Sequence, residues 1–113
     1  MMTLRAPAIP QTDKLDEILL RILSVVKPSR VVLFGSAARS QMTPDSDLDL
    51  LVVMPDGSDR VETTFRLHRR LRGLGCAKDI VVVLASDVAA LHDNPYLIIH
   101  TALTEGKEVY HAA

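Results

Sequence analysis

Two short apolar runs with acidic residues between them constrain this chain most. Residues 31–34 are a continuous apolar stretch, and residues 48–54 are apolar except for Asp49; both are bounded by turn-forming residues, a pattern typical of buried strands. Asp47 and Asp49 stand at the start of the second run. Because strand side chains alternate, we expect both carboxylates on one face, while their apolar neighbours point to the other. Two carboxylates on one face are suitable ligands for a hard divalent cation such as Mg²⁺.

The first run ends in Gly35-Ser36, which we interpret as the turn that opens a short helix over residues 36–41. The first N–H groups of a helix have no partner within the helix, so they are available to bind phosphate. A phosphate-binding turn close to a pair of metal-binding carboxylates indicates nucleotide chemistry.

Apolar spacing and turn residues predict the rest of the chain. A lead-in over residues 1–12 with two prolines precedes an amphipathic helix over residues 13–26. A second long helix, a third strand, two further helices and a short edge strand follow at residues 59–74, 80–84, 86–92, 94–105 and 107–110. We see no repeat, and we expect a single α/β domain over residues 13–113 in which helices pack on a small sheet.

Several helix ends carry recognisable signals. Asp59 with Glu62 predicts a capping box for the second long helix, and Ser86 and Asn94 are the expected N-caps of the two helices that follow. The second long helix is expected to bury four apolar residues, namely Val61, Phe65, Leu67 and Leu71.

Composition limits the class of protein. The chain has 113 residues, a net charge of −1 and one cysteine, Cys76, which excludes an internal disulfide framework and is consistent with a reducing cytoplasm. Neither a signal-peptide core nor an apolar run of membrane-spanning length is seen, so we expect a cytoplasmic protein without membrane association.

Three other phosphate or metal motifs do not match. An EF-hand loop counted from Asp45 would place Leu50 where glycine belongs, within a buried strand, and we give Asp45 no role. A phosphatase Asp-x-Asp follows a strand, whereas this pair opens one. No Gly-x-x-x-x-Gly-Lys stretch exists, which excludes a P-loop.

Asp79 is a third candidate carboxylate. It precedes the strand at residues 80–84, much as Asp49 lies at the start of the strand before it. Pairing of these two strands would bring the two acids together. Three converging carboxylates would bind two magnesium ions and a triphosphate, an arrangement suited to in-line displacement at phosphorus.

Gly35-Ser36, ten further residues and then Asp47-Leu48-Asp49 resemble the signature of the minimal nucleotidyltransferases of the DNA polymerase β superfamily. The C-terminal stretch at residues 105–110 is also similar to that group. The resemblance implies a nucleotidyltransferase fold, like the polymerase β palm, with a small mixed sheet packed with helices. It also implies Mg²⁺-dependent transfer of a nucleotide, usually AMP from ATP, to a hydroxyl acceptor.

The same resemblance implies roles for individual residues. Gly35, Ser36 and Arg39 would hold the triphosphate. Asp47 and Asp49 would bind two magnesium ions. Asp79 would bind the catalytic ion and help to deprotonate the acceptor.

The resemblance further implies a partner. Stand-alone members of this size are often antitoxins paired with a HEPN-type ribonuclease toxin, and some add AMP to a tyrosine of that toxin. We therefore expect the antitoxin of a type VII toxin–antitoxin pair, in a hetero-oligomer with its toxin. Two alternatives stay open: transfer to a small molecule or a nucleic-acid end, and an antitoxin that acts by binding alone.

The second long helix and the residues after it are rich in basic side chains, at Arg60, Arg66, Arg69, Arg70, Arg72 and Lys78. We interpret this excess as a solvated helix face; an acidic partner, ATP phosphates and RNA are the alternatives. Because stacking aromatic residues are lacking, we do not expect direct nucleic-acid binding. The four histidines have no zinc-ligand spacing.

Overall fold

The computed structural model describes residues 12–35, 48–73, 78–94 and 97–112. Along the chain the helices and strands are α1 (Thr12–Val25), β1 (Arg30–Phe34), β2 (Leu48–Met54), α2 (Arg60–Arg70), β3 (Lys78–Leu84), α3 (Ala85–Leu91), α4 (Ile98–Glu105) and β4 (Lys107–His111). The expected short helix at residues 36–41 and most of the expected lead-in lie outside the described residues.

The described strands form one mixed sheet in the order β3-β2-β1-β4. β1 is antiparallel to both of its neighbours, whereas β2 and β3 are parallel and are joined through α2. A parallel pair needs a crossover connection, which α2 supplies by running back from the end of β2 to the start of β3. The C-terminal end of α2 therefore lies at the same end of the sheet as the start of β3.

Each face of the sheet is covered by a helix layer. Because strand side chains alternate, Leu50 and Val52 of β2 pack with α1 and α2, whereas Leu51 and Val53 pack with α3 and α4. All four of these side chains are buried. This arrangement confirms the predicted α/β fold with a small mixed sheet packed with helices, and it places Asp49 on the face covered by α3 and α4.

The capping signal of α2 is confirmed, since the Glu62 N–H donates a 3.0 Å hydrogen bond to the Asp59 carboxylate. Ser86 does not cap α3. The helix begins directly after β3, so Leu84 is the N-cap residue and its N–H donates to Asp87 at 3.0 Å. The Ser86 N–H lies within the first turn and donates to Asp56 at 2.9 Å.

The expected start of α4 at Asn94 is also wrong. The helix begins at Ile98 with Leu97 as N-cap. The Leu97 N–H donates to the Asn94 carbonyl at 3.1 Å, and Asn94 lies before the N-cap residue of the helix. Gly106 does lie at the predicted C-terminal end.

The predicted burial of α2 is only half right. Leu67 and Leu71 are buried against the sheet, but Val61 and Phe65 are 68% and 65% exposed. The reason is rotational: Leu67 and Leu71 are four residues apart and share one face of the helix, while Val61 and Phe65 share another. α2 also ends at Arg70, earlier than the expected residue 74. Among the described residues, no helix is long and apolar enough to cross a membrane.

Candidate active site

Gly35 directly follows β1 and has a φ of +76°, in the left-handed region that glycine adopts without strain. A Cβ atom built on Gly35 would overlap the Oδ2 atom of Asp49. Glycine therefore serves two purposes at this position: it turns the chain at the end of the strand, and it leaves room for the Asp49 carboxylate against the backbone.

Asp49 is held in place by strands on both sides. In β1 its register partner is Phe34, the residue before Gly35, and in β3 its partner is Asp79. Adjacent strands lie about 4.8 Å apart, so the two aspartates are nearest neighbours across the parallel pair. Asp49 is half-buried and Asp79 is exposed. The pairing of the two acids is what their matching positions in the sequence predict.

The apolar residues that follow explain why these acids stay at the end of the sheet. Beyond Asp49 and Asp79, the same face continues into Leu51 and Val83, which are buried beneath α3 and α4. The carboxylates thus lie at the border between this core and solvent. A cation or a phosphate could approach them without crossing the core.

The C-terminal end of α4 packs against the end of the sheet that carries Gly35 and Asp49. A Cβ atom on Gly106 would collide with the carbonyl oxygens of Ala102 and Leu33, so the helix end packs directly on β1 next to Gly35. Lys107 follows and pairs with Leu33, which brings a lysine to the same end of the sheet. Lys107 was not predicted as a site residue. Its position after a helix-ending glycine indicates only that a strand begins there, and the pairing of β4 with β1 decides where that strand lies.

Three predicted site residues, Ser36, Arg39 and Asp47, lie outside the described residues. Within residues 12–35, 48–73, 78–94 and 97–112, no group of three histidine, cysteine or acidic side chains could hold a metal ion. The described part of the site therefore provides two adjacent carboxylates and a glycine turn. Oxygen ligands of this kind suit Mg²⁺.

The family model for the nucleotidyltransferase domain matches residues 13–100. The chain belongs to the nucleotidyltransferase domain family. This match confirms the family resemblance, and Gly35, Asp49 and Asp79 all fall within the matched part of this nucleotidyltransferase domain. No protein of curated function matches the sequence.

Solved structures share the fold of this nucleotidyltransferase domain. A Sulfolobus solfataricus protein assigned to the nucleotidyltransferases is 24% identical, with a TM-score of 0.55 over 72% of this chain and 73% of that chain. A mutant of the toxin–antitoxin complex MntA-HpeT is 19% identical, with a TM-score of 0.61 over 86% and 73%. A toxin–antitoxin structure with AMP-PNP is 22% identical, with a TM-score of 0.55 over 88% and 73%. At these identities the likeness establishes the fold.

Proposed function

We propose that this chain is a Mg²⁺-dependent protein adenylyltransferase. It transfers AMP from ATP to a hydroxyl, a tyrosine, of a HEPN-type ribonuclease toxin, and so acts in the cytoplasm as the antitoxin of a type VII pair. The observation that carries this proposal is the register that sets Asp49 beside Asp79, with Gly35 against the Asp49 carboxylate. The likeness to toxin–antitoxin structures, one of them with AMP-PNP, supports the biological setting.

In this proposal the residues divide into two groups. Gly35, Ser36 and Arg39 bind the triphosphate, because the glycine turn leaves backbone N–H groups free and the guanidinium suits phosphate oxygens. Asp47, Asp49 and Asp79 hold two magnesium ions, which when bound neutralise the triphosphate and stabilise the leaving pyrophosphate.

The proposed transfer is a single displacement at the α-phosphorus of ATP. The acceptor oxygen forms a bond to that phosphorus as the bond to the β-phosphate oxygen breaks, and pyrophosphate leaves. Asp79 accepts the proton of the acceptor hydroxyl. Its exposure at the edge strand β3 is consistent with this role, since an acceptor on another protein can reach it.

The test is an intact-mass measurement on the toxin after incubation with the antitoxin, ATP and Mg²⁺. We expect a gain of one or more adenylates and a loss of at least about 100-fold in rate for Asp49→Asn, since a misplaced or missing ligand at a reacting centre costs at least that much. Asp56→Asn is the matched control. Asp56 lies just beyond the opposite end of β2, and asparagine can still accept the hydrogen bond from Ser86.

Three results would contradict all or part of the assignment. Full transfer by Asp49→Asn would exclude the proposed carboxylate site. If Asp49→Asn and the unmodified chain neutralise the toxin equally well while no adenylate is added, the antitoxin acts by binding alone. If AMP appears on an aminoglycoside or an RNA end and not on the toxin, the chemistry stands and the acceptor is wrong.

A further inference from the structure

The outward face of α2 forms a groove against the edge strand β3. We call it the α2 groove; it has a volume of about 860 Å³. Apolar and basic side chains both line it, and its lining residues are Arg60, Val61, Thr64, Phe65, His68, Arg69, Arg72 and Val82. None of these residues belongs to the proposed catalytic site.

Two apolar side chains that line the α2 groove are unusually exposed to solvent. Val61 and Phe65 lie one helical turn apart on the same face and are 68% and 65% exposed, more than any other large apolar side chain among the described residues. The same helix buries Leu67 and Leu71 in the core. α2 thus has apolar side chains on two faces. One face is buried in the core, and the other is exposed to solvent.

The arginines among its lining residues give the α2 groove a positive charge. Arg69 and Arg72 follow Phe65 along the helix face, and no lining residue of the described groove is acidic. At the other end, Arg60 is paired with Asp87 at 3.7 Å, which partly neutralises it. The uncompensated charge is therefore concentrated toward the C-terminal end of α2.

That end of α2 leads to the candidate active site. His68, Leu71 and Arg72 surround a smaller pocket together with Ile80, the residue that follows Asp79 in β3. Asp49 and Asp79 both lie on the opposite face of the sheet from α2. A protein bound in the α2 groove would therefore leave the carboxylate face uncovered, and a segment of it that passes around the edge strand β3 would reach Asp79 first.

We propose that the α2 groove is a docking surface for an acidic amphipathic segment of the partner toxin, which it holds beside the β3 edge. An apolar strip on the partner covers Val61 and Phe65, while flanking aspartates and glutamates meet Arg69 and Arg72. A helix laid in a groove is a common form of this recognition. The inference rests on the proposed function only for the identity of the partner.

Charge and the small number of aromatic rings favour an acidic protein segment over two other occupants, a second copy of this chain and RNA. A symmetric dimer of this chain through the α2 groove would bring two basic surfaces together, since the described lining contains arginines and no acidic residue, and this is unfavourable. RNA would be attracted by the arginines, but single-stranded RNA is held by stacking on several aromatic rings, and among the described lining residues only Phe65 and His68 carry such rings.

The experiment measures the affinity of the full-length chain for a purified HEPN-type toxin by calorimetry. Val61→Ser combined with Phe65→Ser should weaken binding by about 100-fold, because apolar anchors at the centre of an interface carry much of its affinity. Arg69→Glu combined with Arg72→Glu should weaken it by at least about 10-fold and reduce its salt dependence. Leu20→Ser, which changes an exposed leucine on α1, is the matched control and should bind within about twofold of the unmodified chain.

Several results would overturn the inference. One is binding by the Val61/Phe65 variant at the unmodified affinity, and another is no binding of the toxin by the unmodified chain. A dimer of the chain alone that this variant converts to monomer would make a second copy the occupant. RNA binding that is lost in the arginine variant and kept in the Val61/Phe65 variant would make RNA the occupant.

The docking and catalytic proposals fail separately. Asp49→Asn should keep full affinity for the toxin and lose adenylate transfer, because it leaves the α2 groove unchanged. The Val61/Phe65 variant should lose affinity, and raising the toxin concentration should restore its transfer. Transfer retained by Asp49→Asn refutes the carboxylate site alone, and normal affinity of the Val61/Phe65 variant refutes the α2 groove alone.

Discussion

Replacing Gly35 with alanine should leave the protein folded but lower its activity strongly. The residue has a φ of +76°, and an L-residue in this region costs about 1–2 kcal/mol. The new Cβ would also overlap the carboxylate of Asp49. Because that carboxylate ends a side chain that can rotate, it will move aside at about 0.5–1.5 kcal/mol. The expected total loss in free energy of unfolding is about 1.5–3.5 kcal/mol.

Displacement of the Asp49 carboxylate should lower the rate of AMP transfer. A shift of about 1 Å in a catalytic group can lower a rate by about 100-fold, so we expect Gly35→Ala to fold and to transfer AMP at about 1% of the normal rate. Urea denaturation measures the stability, and intact-mass analysis of the toxin measures the transfer.

Gly73→Ala is the matched control. Gly73 has a φ of +84°, and a Cβ atom there would meet no atom of the described residues within 4 Å. It should lose about 1–2 kcal/mol from backbone strain and keep its activity. The difference between the two variants then isolates the contact with Asp49, and Asp49→Ala should remove that difference in stability. Equal stability losses in the two variants, with normal transfer by Gly35→Ala, would refute the reasoning.

Three further predictions concern the cap, the core and the metal. Asp59→Ala should lower the free energy of unfolding by about 1 kcal/mol in urea denaturation, while Asp59→Asn, which still caps α2, should not; equal losses would exclude the cap. Leu50→Ala, fully buried, should cost about 2–5 kcal/mol by the same assay, and Leu20→Ala, 52% exposed, much less; similar losses would contradict the packing of β2. At ten times its dissociation constant, Mg²⁺ should stabilise the unmodified chain by about 1.4 kcal/mol in calorimetric melting and have little effect on Asp79→Asn; an undiminished shift would remove Asp79 from the metal site.

Much of the site's arrangement could be predicted because it depends on local patterns. The apolar run at residues 48–54 predicted β2 with the bounds that the structure has. The equal positions of Asp49 and Asp79 at the starts of two strands predicted that pairing would bring them together, and the parallel register does so. The roles of all six site residues stay predictions, and Ser36, Arg39 and Asp47 also lie outside the described residues.

Other features could not be read from local patterns. Apolar spacing marks Val61, Phe65, Leu67 and Leu71 alike, because periodicity does not tell which apolar face of a helix the sheet will cover. The same limit applies to helix ends. Ser86 has the right chemistry for an N-cap, but β3 continues directly into α3, so the residue that precedes the helix is Leu84.

The sequence by itself determined the chemical character of this protein. The strand period, the glycine after the first strand and the aspartates at the starts of the next two are properties of neighbouring residues. They indicated phosphate and metal chemistry, and their resemblance to a family signature implied a nucleotidyltransferase. Only the tertiary structure decided the strand order β3-β2-β1-β4, the approach of Gly35 to Asp49 and the exposure of Val61 and Phe65. These depend on which surfaces distant segments bury together, and such burial is a property of the whole fold.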